Sequence, residues 1–301
     1  MTLQEIPSDL EALALRRFDE LVQRGEILYE RPRTSIAWAQ GFQFNFDVTP
    51  ALSKKPILPP DDPGRSKPIG PFVDPPDEWI IVRIGQSHKL ILNKYCVYRP
   101  MLILHTTLFA PQTDGLDISD LTAAWAILRQ IETPQMIIYN CGVEAGSSQG
   151  HKHIQIFPRR DSQEFQMFPS KATSTEGKPF RFTETLPDVE TRISGVPFMH
   201  FVVRLPVNAS SRQVYDQYER LLGMTKHALK AADAGTDYNL VLVSEWMAMI
   251  PRRRKGWGSF IANAANMVGS MWLRSEEQRD EMLEHPLLDM LAELGIPLRD
   301  G

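Results

Sequence analysis

This sequence predicts an α+β fold built on a mainly antiparallel sheet, and three observations carry that expectation. Short segments rich in Ile, Leu, Val and Tyr, each bounded by Gly, Pro or Asn, come in runs. Amphipathic helices fall between those runs instead of alternating with single strands, which argues against a doubly wound parallel sheet. Of the 301 residues, 43% are hydrophobic, enough for the core of one large domain or two modest ones.

The first element is SDLEALALRRFDELVQRGEI (8–27), an amphipathic helix. Ser8 and Glu11 are placed as a capping box, Leu10, Ala14, Leu21 and Val22 keep helical spacing, and Gly25 ends it. A short extended run, TSIAWAQGFQFNFDV (34–48), leads into TPALSKKP. Proline then recurs too often for helix or central strand, so residues 56–78 read as a surface strap. Beyond Trp79, five strands are expected in EWIIVRIG, HKLILNKYCVY, PMLILHTTLF, QMIIYNCG and HKHIQIFP. Between them DISDLTAAWAILRQIE (117–132) is a helix capped by Ser119 or Asp117, with Leu121, Trp125, Leu128 and Ile131 on one face. Residues 159–192 show no period and read as a loop. The second half repeats the texture with a strand (196–206), a long helix (210–233), another strand (238–253), the segment FIANAANMVGSMWLR and a closing helix from about Ser275 to Leu294.

A formal charge of −4, with 23% charged residues, argues against a broad footprint for nucleic acid or an anionic membrane. The basic run PRRRK (251–255) is the local exception, read as a solvated face or a phosphate contact. Two cysteines, Cys96 and Cys141, lie beside apolar residues and read as reduced, packed thiols; their number excludes a zinc site built from CxxC pairs. With no secretory core near the N-terminus and no membrane-length apolar stretch, the expected compartment is the cytosol, or the nucleus.

The chemistry concentrates in GSSQGHKHIQIF (146–157). On a strand, His151, His153 and Gln155 share one face while Ile154 and Ile156 enter the core, with Lys152 at the edge of that second face. The preceding loop offers flexible backbone N–H groups and two hydroxyls, suited to an anion. Two readings of the histidine pair are open. One is a metal site, for which the neighbouring sequence supplies no further ligands. The other is nucleophilic catalysis by a neutral imidazole on phosphorus.

HKHIQI resembles the HxHxQ signature of the transferase branch of the histidine-triad superfamily. ALSKKP, LILNKY, YNCGVEAGSSQGHKHIQI and YNLVLVSEWMAMIPRR, in that order over most of the chain, are similar to the diadenosine tetraphosphate (Ap4A) phosphorylases, also called ATP adenylyltransferases. The resemblance implies a histidine-triad-like fold of two pseudo-repeated halves in one compact unit. Residues 1–190 would form the catalytic region with the helix and strap, and 191–301 would complete the sheet and the nucleotide site. It implies His153 as the nucleophile that becomes adenylylated, His151 as its support through a backbone carbonyl, and Gln155 as a holder of a phosphoryl oxygen. Gly146, Ser147, Ser148 and Gln149 would cradle phosphate, and Lys55, Asn93, Lys94 and Asn140 would contact substrate. Near the C-terminus Asn263 matches the family pattern, whereas Ser270 stands for a methionine and Arg274 for a lysine, which leaves base preference open.

The implied reaction is Ap4A phosphorolysis to ATP and ADP, with sugar-1-phosphate nucleotidylyl transfer by the same chemistry as the alternative. A non-catalytic nucleotide sensor and a metal-dependent hydrolase on His151 and His153 are the competing classes. The expected partners are dinucleoside polyphosphate, ATP, ADP and phosphate, without nucleic acid or membrane, acting on a monomer or homodimer. No cofactor held by the protein is expected, only a divalent cation such as Mg²⁺ accompanying the nucleotide.

Overall fold

The computed structural model describes residues 6–173 and 188–298. The elements in chain order are α1 (Leu10–Gln23), β1 (Arg33–Ala39), β2 (Phe42–Val48), β3 (Ile80–Ile84), β4 (His88–Leu92), β5 (Leu102–Thr106), α2 (Ile118–Gln130), β6 (Gln135–Cys141), β7 (His153–Pro158) and α3 (Phe168–Thr173). They continue with β8 (Val189–Glu190), β9 (Phe201–Arg204), α4 (Ser211–Ala231), β10 (Tyr238–Leu242), β11 (Trp246–Pro251), β12 (Gly256–Trp257), β13 (Phe260–Ile261), α5 (Ala264–Met267), β14 (Ser270–Leu273), α6 (Glu276–Leu283) and α7 (Leu287–Leu294).

Nine strands form one sheet in the order β3-β4-β5-β7-β6-β10-β11-β9-β8, and every pair in it is antiparallel. The order contains its own repeat. β4-β5-α2-β6-β7 places β7 between β5 and β6, and β8-β9-α4-β10-β11 places β11 between β9 and β10. The two units meet where β6 pairs with β10. Helices α2 and α4 pack on each other and on this sheet. Trp125 on α2 donates to the Ala209 carbonyl at 2.9 Å, and Tyr218 on α4 meets the Tyr238 hydroxyl at 2.7 Å.

A second sheet weaves the two ends of the chain together, because β14 runs parallel to β2, which pairs with β1. Asp47 on β2 is fully buried and takes hydrogen bonds from Tyr98 (2.7 Å), Thr34 (2.8 Å) and Asn45 (2.9 Å), with Arg160 as its ion-pair partner. A buried carboxylate persists only when it is paired and hydrogen-bonded in this way, so Asp47 ties the small sheet to the large one.

Several expectations need correction. The Ser8–Glu11 capping box is absent: Asp9 is the N-cap and makes no side-chain cap bond, while Glu11 accepts instead from the backbone N–H groups of Glu132 and Thr133. The run 34–48 is a hairpin, turned by Gln40 and Gly41 at positive φ. The single strand at 238–253 is likewise a hairpin of β10 and β11. Pro286 divides the closing helix into α6 and α7, since proline lacks the N–H a helix interior needs. The predicted strand 88–98 stops at Leu92. Much of the 159–192 loop lies outside the described residues; of the rest, 168–173 is helical and 189–190 pairs with β9. At Asp117 the expectation holds: its carboxylate accepts both cap bonds, and its own N–H donates to the Asp120 carboxylate.

Candidate active site

β7 alternates as its sequence requires. Ile154 and Ile156 enter the main core, and His153 and Gln155 line the opposite side. His151 precedes the strand as an isolated bridge to Pro111. The Nδ1 of His153 lies 2.8 Å from the His151 carbonyl oxygen. A carbonyl can only accept, so Nδ1 carries the proton and Nε2 keeps its lone pair. Burial, reinforced by the charge of Lys55, pushes the His153 pKa down to about 3, although the bond to His151 opposes the shift. The ring is therefore neutral at neutral pH and presents a nucleophilic nitrogen.

Two adjoining cavities lie here, and His153 lines the larger. The larger, about 750 Å³, is lined by His153, Gln155, Gln149, Asn93, Lys94 and apolar residues that include Ile91 and Ile103. Its other wall is the proline-rich strap, contributing Ile69, Gly70, Pro71, Phe72, Pro75 and Pro76. The smaller cavity, about 140 Å³, is lined by Lys55, Arg65, Lys255 and Arg274, with Ser147, Ser148 and Gly146, and by no carboxylate. Lys55, Leu58 and Ser148 line both. Four cations in one concavity whose lining holds no carboxylate suit it to an anion. Burial, with Arg274 adding to it, holds the Lys55 ammonium below its ordinary pKa, so an arriving anion strengthens its charge.

The strap is docked, not loose. Arg65 donates to the carbonyls of Leu58 (2.6 Å), Pro59 (2.8 Å) and Ser147 (3.1 Å), stapling strap to loop. At Gly150 an added Cβ would lie 2.1 Å from the Arg65 carbonyl oxygen, so only glycine allows this approach. At Gly146, with φ +85°, an added Cβ would lie 2.2 Å from the Ala262 carbonyl oxygen. Phe72 stacks on His105 at 5.2 Å and lies 5.0 Å from the His153 ring. With Ile80, Ile91 and Ile103 it forms a small core on the site face of the sheet.

Most residues named from the sequence converge here, and three do not. His151 lines neither cavity; its Nε2 donates to Thr106 and only its carbonyl reaches His153. Asn140 also lies behind the walls. Its Oδ1 accepts from Asn239 (2.9 Å) and from the Ala264 N–H (2.8 Å), so that oxygen serves the fold. Ser270 lines neither cavity itself: its buried hydroxyl bonds Tyr98 and Trp272, and Trp272 lines the smaller one. Asn263 lines the smaller cavity, but its Oδ1 caps α5. Asn93 lines the larger one while its Oδ1 accepts from the Tyr95 N–H and shapes the turn.

Arg65, Phe72 and Lys255 were not singled out from the sequence. Lys255 sits in the basic run 251–255, whose members divide three ways. Arg252 is fully buried and donates to Asn239 Oδ1 and to the carbonyls of Ala262, Leu294 and Arg254. Arg253 and Arg254 are exposed, and Lys255 faces the smaller cavity. Arg65 and Phe72 carry no local signal beyond being one cation and one aromatic among prolines. On the opposite face of the sheet Lys152 pairs with Asp120 at 3.1 Å, and Asp120 also meets His88 at 2.8 Å. Among the described residues no group of three or more His, Cys, Asp or Glu converges to hold a metal ion.

A neutral imidazole nitrogen in one cavity, with a cationic cavity sharing its wall, is an arrangement suited to nucleotidyl transfer. The chain matches the family model of the Ap4A phosphorylase N-terminal domain over residues 13–174 and that of the ATP adenylyltransferase C-terminal domain over residues 194–297. It belongs to the Ap4A phosphorylase (ATP adenylyltransferase) family. Among curated relatives, diadenosine 5',5'''-P1,P4-tetraphosphate phosphorylase 2 of Saccharomyces cerevisiae is 27% identical over 286 residues, covering 86% of this chain and 85% of that protein. Protein APA1 of the same yeast is 26% identical over 327 residues, covering 98% and 97%. The crystal structure of yeast Ap4A phosphorylase Apa2 in complex with Ap4A has a TM-score of 0.79 at 24% identity, covering 98% of this chain and all of that one. The complex of the same enzyme with AMP gives 0.80 at 24%, covering 99% of each. These likenesses establish the fold.

Proposed function

We propose that this chain catalyses the reversible phosphorolysis of Ap4A, giving ATP and ADP from Ap4A and phosphate. One observation supports the reading above the others: Lys55 and Ser148 line both the cavity that holds His153 and Gln155 and the cavity lined by four cations. A ligand with an apolar end and a long anionic chain fits that junction. Its adenosine enters the larger cavity beneath the strap, and its remaining phosphates run past Lys55 towards Arg65, Lys255 and Arg274.

His153 Nε2 attacks the α-phosphorus in line; the N–P bond forms as the P–O bond to the leaving ATP breaks, and ATP departs with that electron pair. Gln155 donates to a non-bridging oxygen as charge gathers there, which a carboxamide does without exchanging a proton. A phosphate oxygen then attacks the same phosphorus, the N–P bond breaks, and ADP leaves with Nε2 restored. Two inversions give net retention, and the covalent stage gives ping-pong kinetics. The apolar strap wall limits access of water to the adenylyl-histidine, so the intermediate survives until phosphate arrives. A divalent cation such as Mg²⁺ is taken to accompany the nucleotide phosphates and to offset their charge. The reading assigns the chain small-molecule nucleotide partners in the cytosol.

The test is incubation with Ap4A labelled at the α-phosphorus, a rapid quench, and peptide mapping. Acid-labile, base-stable label on the peptide containing His153 is expected. Turnover without such label, or label elsewhere, overturns the assignment.

A further inference from the structure

The ladder between β6 and β7 stops short of the nucleophile. Gln135 pairs with Pro158 and the register runs to Ile138 opposite Gln155. Two pairs further on, that register would set Asn140 against His153, yet β6 there continues only with β10, through Asn140 and Asn239. Gln112 fills the gap. Its Oε1 accepts from the His153 N–H at 2.7 Å, and its Nε2 donates to the carbonyls of Asn140 (2.9 Å) and His153 (3.2 Å). Its backbone repeats the pattern, with its N–H donating to Gly150 (2.7 Å) and its carbonyl accepting from Gly142 (3.3 Å). Tyr139 also donates to that carbonyl at 3.0 Å. The residue is only 2% exposed, and every polar group it has bridges the two strand ends.

We infer that Gln112 is a positioning residue for His153, a carboxamide wedge inserted where two strands part and setting how far the nucleophile stands from β6. The backbone of His153 is held on both its N–H and its carbonyl by one side chain, and the ring is held by the carbonyl of His151. Together these fix the Cα and the direction of Nε2. Only a side chain carrying an acceptor and two donors on one planar group makes all three bonds, and asparagine is one methylene too short. A misplacement of about 1 Å at a reacting atom costs about 10²-fold in rate, so the wedge acts on the chemical step more than on nucleotide binding.

The inference rests on His153 being the nucleophile, and Gln112→Met, Gln112→Glu and His153→Ala test the two separately. Gln112→Met keeps the volume and removes the bonds; a fall of about 10²-fold in kcat is expected, with KM near the parent value and slower single-turnover labelling of the protein. In Gln112→Glu the protonated carboxyl presents C=O and O–H where the amide presented C=O and N–H. Ionisation turns a second acceptor towards Asn140 and His153. Burial raises that carboxyl's pKa, so kcat should recover in part as pH is lowered, with an ionisation the parent lacks; one of the amide's two donors stays lost. Parent-like kcat in Gln112→Met, a Gln112→Glu profile that superposes on the parent's, or a loss confined to KM would each overturn the wedge. So would a Gln112→Glu protein that fails to fold at every pH, since the residue would then serve the fold alone. Turnover by His153→Ala would instead overturn the nucleophile. Inactive His153→Ala with unaffected Gln112 variants would remove only the wedge.

Discussion

The two repeats of the sheet place an inner strand in the same position and use it for opposite ends. β7 reads HIQIFP, with one face on the core and the other on a cavity; β11 reads WMAMIP and is buried and apolar throughout. The reason lies in what covers them. α4 packs on β11 and α3 packs on it as well, so no polar side chain is tolerated there. Over β7 the strap leaves a cavity between itself and the sheet. A repeated fold unit thus supplies two equivalent strands, and the covering element decides which of them carries chemistry.

The most severe break of that contrast is His153→Ala, expected to lower kcat by at least about 10³-fold. The matched change on the other strand, Met249→Leu, conserves volume and should leave kcat within about twofold, with a stability cost under about 1.5 kcal/mol. Steady-state rates on Ap4A and phosphate decide both. Gln155→Ala should follow with a loss of about 10²–10³ in kcat, as for removal of one donor to developing oxyanion charge. Arg252→Met addresses the join between the repeats. It strands the buried acceptors on Asn239 and Ala262, and each unsatisfied buried acceptor costs about 1–3 kcal/mol, so a loss of at least about 2 kcal/mol is expected in denaturant unfolding. Lys55→Met should raise KM by roughly tenfold at low salt, the equivalent of about 1.4 kcal/mol of binding, with the difference shrinking as salt rises.

The mildest test is pH. Burial pushes His153 to about 3, and His105 and His200 each to about 4. All three lie below the ordinary value of about 6.5, so the unfolded chain binds protons that the folded chain refuses. Their contribution to stability is fully present above about pH 6.5 and is lost as pH falls through 4 towards 3. Thermal unfolding followed from pH 7 to 4 should show a falling midpoint. Free-enzyme activity should show no His153 ionisation between pH 6 and 8.

Much of the site was legible before folding because it is local. HKHIQI states its own alternation, and a strand forces His153 and Gln155 onto one face whatever surrounds it. The expectation that the 146–149 loop receives an anion follows from its glycine and hydroxyls. Lys55 and Arg274, 219 positions apart, were reachable only through family resemblance, since neither has a neighbourhood that marks it. The structural bonds of Asn140 and Ser270 were hidden for the converse reason. Both side chains are polar, and only the packed structure shows their oxygens bonded to Asn239 and Ala264, or to Tyr98 and Trp272. The Ser8–Glu11 cap failed because Glu11 is drawn to backbone donors 121 and 122 residues away, a competitor no local pattern displays.

Periodicity and turn residues by themselves determined the α+β class, most elements and the histidine row, because these obey rules that reach only a few residues along the chain. Contacts between segments far apart decided the rest: which inner strand borders a cavity, where the prolines settle, which of four adjacent basic residues lines the cationic cavity, and that a glutamine from a turn sits between two strand ends beside the His153 ring. Those outcomes depend on which distant surfaces bury each other and which polar atoms are left needing partners, and a one-dimensional pattern holds neither.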